Sequence, residues 1–174
     1  DEQMPQPMKI RFLKKIYSNA NKMSQIVDKL RLTLKLEEGK QELILIPCSM
    51  KKLIITCISD LKDKYKNREI LIQGDDITLK VDETLISMAI SNLIENALKY
   101  SEDEIIVNIS DNSITIIDKG IGIEEKELEK INQKFYRISN NGWNNSLGLG
   151  LFIVQSVLSL HNFTLKIDSE FKNG

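Results

Sequence analysis

At 174 residues the chain fits one ordinary domain, or one domain with a helical extension, and is long enough to bury a core. Its 24 basic and 25 acidic residues leave a net charge of -1, a balance that gives no basic footprint for nucleic acid and no polybasic patch for a membrane. The single histidine excludes a multi-histidine zinc site, and no G-x-S-x-G elbow marks a serine hydrolase.

No apolar run approaches the roughly 20 residues of a spanning helix, and no charged-then-apolar leader opens the chain. The expectation is a soluble, cytoplasmic piece without membrane contact of its own. Cys48 and Cys57 lack metal-ligand spacing and sit in apolar surroundings, so they read as reduced, buried thiols.

In chain order, Asp1 to Lys9 holds two of the three prolines and reads as a loop. From Arg11 to Glu38 the apolar residues Leu13, Ile16, Ala20, Met23, Val27, Leu30 and Leu34 recur alternately three and four apart, and Gly39 supplies the stop. Sustained over about three heptads, that spacing predicts a coiled-coil or bundle seam. Such a seam calls for a partner helix, from a second chain or from the downstream domain. Beyond Gly39 the elements shorten: a strand over Glu42 to Ile46 ended by Pro47, then a helix over Ser49 to Lys66 capped by Ser49. Strands near Ile70 to Gln73 and Thr78 to Val81 flank the turn signal Gly74-Asp75-Asp76.

Asp82 caps the next helix, which carries NLIENALKYS from Asn92 to Ser101. There Asn92, Asn96 and Lys99 share one stripe, with Ile86, Ile90, Leu93 and Ala97 on the stripe beside it. Alone, two asparagines at helical spacing describe a solvated face; together with a suitable anion site they form a wall for a phosphate and a metal ion. Glu104 to Ile109 and Ser113 to Ile117 read as a hairpin across Asp111-Asn112. A helix near Glu124 to Lys130, an Asn-rich irregular stretch, a helix over Leu149 to Leu160 and a strand over Thr164 to Ile167 complete the chain. Interleaved helices and strands with a hairpin predict an α+β fold: a two-layer α/β sandwich, its mixed sheet covered on one face by helices, preceded by a long helix.

Two glycine stretches lie downstream of the asparagines. DKGIGI, Asp118 to Ile123, follows the hairpin directly, and its glycines let backbone approach a planar ligand. SLGLGLFIV, Ser146 to Val154, runs into a helix, so Gly148 and Gly150 leave backbone N–H groups free at a helix start, an anion site. The glycines fit neither a Rossmann fingerprint nor a P-loop.

In this order the elements resemble the ATP-binding domain of two-component sensor histidine kinases, in the superfamily shared with gyrase, Hsp90 and MutL. NLIENALKYS resembles the N box, DKGIGI the first glycine box, KFYR at Lys134 to Arg137 the core of the F box, and SLGLGLFIV the second glycine box. Asn92, where the hydrolysing relatives place a water-activating glutamate, favours the kinase form. The resemblance implies ATP and Mg²⁺ as ligands, with Asn96 on the metal, Asn92 supporting metal and phosphate, and Lys99 on the phosphates. It also implies Tyr100 against the adenine, Asp118 accepting from the adenine amino group, and Gly120, Gly122 and Ile123 shaping that pocket. Arg137 would neutralise the terminal phosphate, while Gly148, Leu149 and Gly150 supply backbone donors. Asn92, Lys99 and Arg137 are thus the expected catalytic residues of a phosphoryl transfer run by positioning and charge neutralisation. Glu95 differs in helical phase and reads as structural.

Two positions depart from the family pattern. Ser146 replaces the first glycine of the second glycine box, and Asn132 stands where the F box has its first phenylalanine. Between them, Ile138 to Leu147 reads as a short lid ordered by nucleotide, with Trp143 its one large apolar group. On the same resemblance, residues 1–39 are a tail and the second helix of the dimerisation hairpin, and 40–174 the ATP-binding domain. The phosphoacceptor histidine then belongs to a first helix outside this chain, since His161 matches a structural position. The expectation is an ATP-binding fragment of a protein-histidine kinase that does not autophosphorylate alone. Its partners would be a second subunit and a response regulator, and its parent protein would be anchored in the inner membrane. The alternatives are a non-catalytic nucleotide-sensing module and an anti-sigma-type serine kinase.

Overall fold

The computed structural model describes residues 5–138 and 147–171. The chain divides into two compact units, one up to Gln41 and one from Glu42 onward.

The first unit is a single helix, α1 (Gln6–Glu37), with Pro5 as its N-cap and a second proline in its first turn. The helix therefore starts earlier than the prolines suggested. A proline in the first turn removes an N–H that has no intrahelical acceptor anyway, so it is tolerated there. The seam is intact along its length, and Leu13, Ile16, Met23, Val27 and Leu34 are each at least half exposed. Gly39, at φ +62°, ends the segment.

The second unit begins with β1 (Ile46–Ser49) and α2 (Met50–Lys62). It continues through β2 (Ile70–Gln73), β3 (Thr78–Val81) and α3 (Glu83–Tyr100). The hairpin β4 (Ile105–Ser110) and β5 (Ser113–Ile117) follows, then the one-turn α4 (Glu125–Leu128) and α5 (Gly150–Leu160). β1 pairs antiparallel with β3, while β2, β4 and β5 form a three-stranded mixed sheet, parallel across β2–β4 and antiparallel across β4–β5. The expected mixed sheet under helices is therefore present. On β4 every second residue, Ile105, Val107 and Ile109, is buried, which marks the face that the helices cover.

Four local outcomes differ from the sequence expectation. β1 contains Pro47, which a two-stranded edge accepts because the missing N–H can point away from the ladder. α2 ends at Lys62, short of Lys66, because the next residues turn back: Lys64 and Tyr65 both donate their N–H to Leu61 O, and Lys64 reaches Glu95 on α3. On α3 the apolar face is broader than one stripe. Leu85, Ala89, Ile94 and Leu98 join Ile86, Ile90 and Ala97 in the core, whereas Leu93 is half-buried, because α2 and α5 flank the helix on two sides. The strand expected over Thr164 to Ile167 forms no ladder among the described residues. Burial still alternates along it, as the pattern predicted, but a strand also needs a partner backbone in register.

α3 is the central helix, with its start closed by Asp82, whose Oδ1 accepts from Leu85 N at 3.0 Å. Ile94, wholly buried, anchors its middle; truncation to alanine there would cost about 3 kcal/mol. Cys48 and Cys57 are both free and buried, as expected of structural thiols.

Candidate functional site

Asn92 lies in the middle of α3 and is 8% exposed. Its Nδ2 donates to Met88 O, one turn back, at 2.8 Å. That bond sets the amide plane and leaves Oδ1 turned toward the start of α5, where a Cβ built on Gly150 would stand 3.3 Å from it. A side chain at Gly150 would crowd that oxygen. Asn96, one turn on, is half-buried on the same stripe. Lys99 follows, with its ammonium 4.8 Å from the centroid of the Tyr100 ring, a cation–π distance.

The C-terminal end of α3 meets DKGIGI. Tyr100 O accepts from Ile121 N at 3.4 Å and would stand 2.5 Å from a Cβ on Gly120. Asp118, exposed at the end of β5, takes Gly120 N onto its Oδ1 at 2.8 Å, which orients the carboxylate across the turn. Gly122 has φ +72°, and a Cβ there would fall 2.0 Å from Glu170 O. Ile123 N donates to Ser169 Oγ at 2.9 Å, so the C-terminal segment braces this loop from behind. A cleft of about 450 Å³ opens beside Ile123, lined also by Leu128, Ile167 and Phe171.

LGLGL, from Leu147 on, is seated on the KFYR segment. Phe135 N donates to Gly148 O at 3.0 Å, and a Cβ on Gly148, at φ +68°, would lie 2.6 Å from Tyr136 O. Phe135 itself holds φ +62°, a strained conformation for an aromatic residue, with its ring mostly exposed. Tyr136 gives its hydroxyl to Glu127, and that bond raises its pKa by holding the phenol proton. Leu149 is buried and precedes α5 without any side-chain cap. Arg137 is exposed at the end of this segment, and among the described residues no hydrogen bond or ion pair joins it to the rest of the site. Asn132, half-buried, has an Oδ1 without a hydrogen-bond partner. Ser146, Trp143 and most of the expected lid lie outside the described residues.

The site thus brings three sequence stretches together along one helix, with LGLGL at the middle of α3 and DKGIGI at its end. The start of α5 suits an anion. Its first N–H groups have no intrahelical acceptor and, among the described residues, no capping side chain, whereas Ser49 and Asp82 close the starts of α2 and α3. Among the described residues no group of three or more histidine, cysteine or acidic side chains is placed to hold a metal ion. A cation here would rest on carboxamide oxygen, water and the phosphates of any ligand it accompanies, the hard oxygen donors that suit Mg²⁺.

Residues 81–174 match the family of histidine kinase-, DNA gyrase B- and HSP90-like ATPases. The chain belongs to this family. It is 30% identical over 174 residues to the phosphate regulon sensor protein PhoR of Pseudomonas aeruginosa, covering 94% of this chain and 39% of that protein. It is 29% identical over 171 residues to the heme sensor protein HssS of Staphylococcus saprophyticus, covering 94% and 37%. The chain therefore spans well under half the length of these relatives. Among solved structures, full-length ShkA in complex with AMPPNP gives a TM-score of 0.72 at 19% identity, over 86% of this chain and 33% of that one. The mycobacterial sensor histidine kinase MprB gives 0.61 at 22% identity, over 68% and 81%. At such identities the likeness carries the ATPase fold, the one expected from the four boxes.

Several residues that shape this candidate site carry no signal in the sequence. Ser169 and Glu170 back the first glycine loop, Glu127 holds Tyr136, and Arg68 ties down the end of α3 through Leu98 O, Ser101 O and Asp103 O. None carries a local pattern. Glu95 is engaged with Lys64, in line with a structural role; partial burial pushes the Lys64 ammonium down, and the bond and charge of Glu95 outweigh it and leave its pKa raised.

Proposed function

We propose that this chain is the ATP-binding catalytic part of a two-component sensor histidine kinase, passing the terminal phosphoryl group of ATP to a histidine outside these residues and onward to a response regulator aspartate. The observation that carries the reading is the convergence on α3: Asn92 faces Gly150, and Tyr100 supports the turn at Gly120 and Ile121. In this reading Asn96 holds Mg²⁺, with Asn92 setting the metal and phosphate geometry from one side. Lys99, Arg137 and the N–H groups around Gly148, Leu149 and Gly150 neutralise phosphate charge. Tyr100, Asp118, Gly120, Gly122 and Ile123 take the adenine. Bound ATP supplies the phosphoryl group; the chain supplies position and charge and no water-activating carboxylate at Asn92.

The acceptor lies elsewhere because His161 is 8% exposed and has both ring nitrogens engaged. The exposed seam of α1 supports residues 1–39 as a tail and the second helix of a dimerisation hairpin, with a second subunit covering Leu13, Met23 and Val27. No helix among the described residues is long and apolar enough to cross a membrane, so an anchor would belong to the rest of the parent protein.

Calorimetric titration with ATP, with and without Mg²⁺, tests the reading. Binding should depend on Mg²⁺, and Asn96→Ala should weaken it at least about tenfold, the smaller end of what disturbing a metal site costs. Incubation with a separate histidine-bearing hairpin should then label the hairpin and leave this chain unlabelled. A second reading, a nucleotide-sensing module without transfer, draws on the orphaned Oδ1 of Asn132 in the F box. It predicts Mg²⁺-dependent binding and no label on the hairpin.

A further inference from the structure

We propose that His161 is a positioning residue for the nucleotide site: in its Nδ1–H tautomer it latches the end of α5 to the start of α3, and so sets the register in which Asn92 meets Gly150. The proposal rests on the nucleotide reading of that site.

The tautomer follows from the partners. Nε2 lies 3.0 Å from Asp82 N, and a backbone N–H can only donate, so Nε2 must present a lone pair. The proton is then on Nδ1, which lies 2.7 Å from Val157 O and donates to it. The ring is held from its own side by this bond and by Phe163, stacked at 6.1 Å with an interplanar angle of 16°. On the other side, Asp82 has both carboxylate oxygens in use. Oδ1 accepts from Leu85 N and Oδ2 from Ile44 N at 3.1 Å, so its main-chain N–H is the group left to meet α5. Asp82 and His161 are both buried, where an unpaired polar group is costly.

Two of the points at which the packed helices meet are Asp82 with His161 and Asn92 with Gly150. Ten residues separate Asp82 from Asn92 and eleven separate Gly150 from His161. At 1.5 Å of rise per residue those spans are about 15 Å and about 16.5 Å, matched lengths for two antiparallel helices. A bond at the far corner of such a pair decides how far one helix can slide along the other. Sliding matters at the near corner, since the Asn92 amide lies so near Gly150 that a Cβ there would meet it at 3.3 Å, and a shift of α5 would carry its first turn off that oxygen or onto it. An apolar residue at position 161 could fill the space, but it would have no lone pair to fix that register.

The test titrates ATP–Mg²⁺ calorimetrically into the wild type, His161→Leu and His161→Gln, at a temperature where circular dichroism shows each chain folded. It also records the ¹⁵N spectrum of the wild-type imidazole. Leucine should weaken nucleotide binding about tenfold, the scale of one lost buried hydrogen bond, and glutamine, whose Oε1 can accept from Asp82 N, should return it to within about threefold. The spectrum should show Nδ1–H and a coupling across the bond from Asp82 N to Nε2. A leucine variant that melts earlier yet binds like the wild type would make His161 a packing residue and overturn the proposal, as would an Nε2–H or doubly protonated ring. Should the leucine variant fail to fold, the tautomer and the coupling decide by themselves. A wild type that binds no nucleotide defeats the nucleotide reading and the proposal with it, and differs from failure of the latch alone, in which all three chains bind equally.

Discussion

Gly120 and Gly122 press against main chain from elsewhere in the fold, with Cβ positions 2.5 Å from Tyr100 O and 2.0 Å from Glu170 O. The second pair divides its work. Gly148 faces the backbone of Phe135 and Tyr136, whereas among the described residues Gly150 faces only a side chain, the amide of Asn92 at 3.3 Å. Two pairs that look alike as G-x-G are therefore held for different reasons. Backbone cannot give way without moving an element, so Gly120, Gly122 and Gly148 are demanded by the fold itself. Gly150 is demanded by what the Asn92 amide must be free to do, and this makes it the glycine most directly tied to function.

The largest effect should come from Gly122→Ala. A left-handed φ costs a side-chain-bearing residue about 1 to 2 kcal/mol, and displacing packed neighbours costs about as much again. A total near 3 kcal/mol would lower the melting temperature by about 10 °C in a calorimetric scan. A melting temperature within a degree or two of the wild type would mean that the C-terminal segment does not lie against the loop, and the contrast between the pairs would collapse.

Gly150→Ala should behave in the opposite way. It opens α5, where alanine is worth up to about 1 kcal/mol more than glycine in helix propensity. That gain offsets the crowding at Asn92, so stability should stay within about 0.5 kcal/mol of the wild type. Nucleotide affinity should nevertheless fall about fivefold, roughly 1 kcal/mol, because the displaced amide no longer sets the phosphate geometry. Unchanged affinity in a calorimetric titration would place Gly150 with the structural glycines.

This division could not be read from the sequence, although much else could. The periodicity of α3, the β-branched runs of β4 and β5 and the caps Ser49 and Asp82 are local signals, and each element appeared where its signal lay. The four boxes were legible for the same reason, as short runs of fixed chemistry. What was hidden depends on distant partners. Nothing near Gly122 announces Glu170, and nothing near Asp82 announces His161. The strand expected at Thr164 to Ile167 failed for this reason too, since alternation is local but a ladder requires a second backbone. The burial of Asn92, on a stripe that alone would pass for a solvated face, likewise comes from α5 closing over it.

The smallest effect, and the control for the others, lies at the start of α2. There Asp76 accepts from the Ser49 hydroxyl at 2.6 Å and from Lys51 N at 2.9 Å, closing with the chain's own groups the kind of helix start that α5 leaves open. The Ser49 bond first, and the Lys51 bond after it, hold the Asp76 carboxyl below its ordinary pKa. A carboxylate depressed in the folded state contributes stability that is complete above the unfolded pKa and is lost as pH falls through the folded value. Urea midpoints of the wild type should therefore decline through the acid range below the usual carboxylate pKa, and Asp76→Asn should flatten part of that decline by lowering the midpoint at neutral pH while leaving it unchanged in acid. Because Asp76 is fully exposed, the difference will be slight. Nucleotide affinity should be untouched by it, since a helix start that the chain satisfies for itself has no donors left to offer a phosphate. An affinity that fell with Asp76→Asn would mean that the two helix starts are not independent, and that the open start of α5 is not what distinguishes the site.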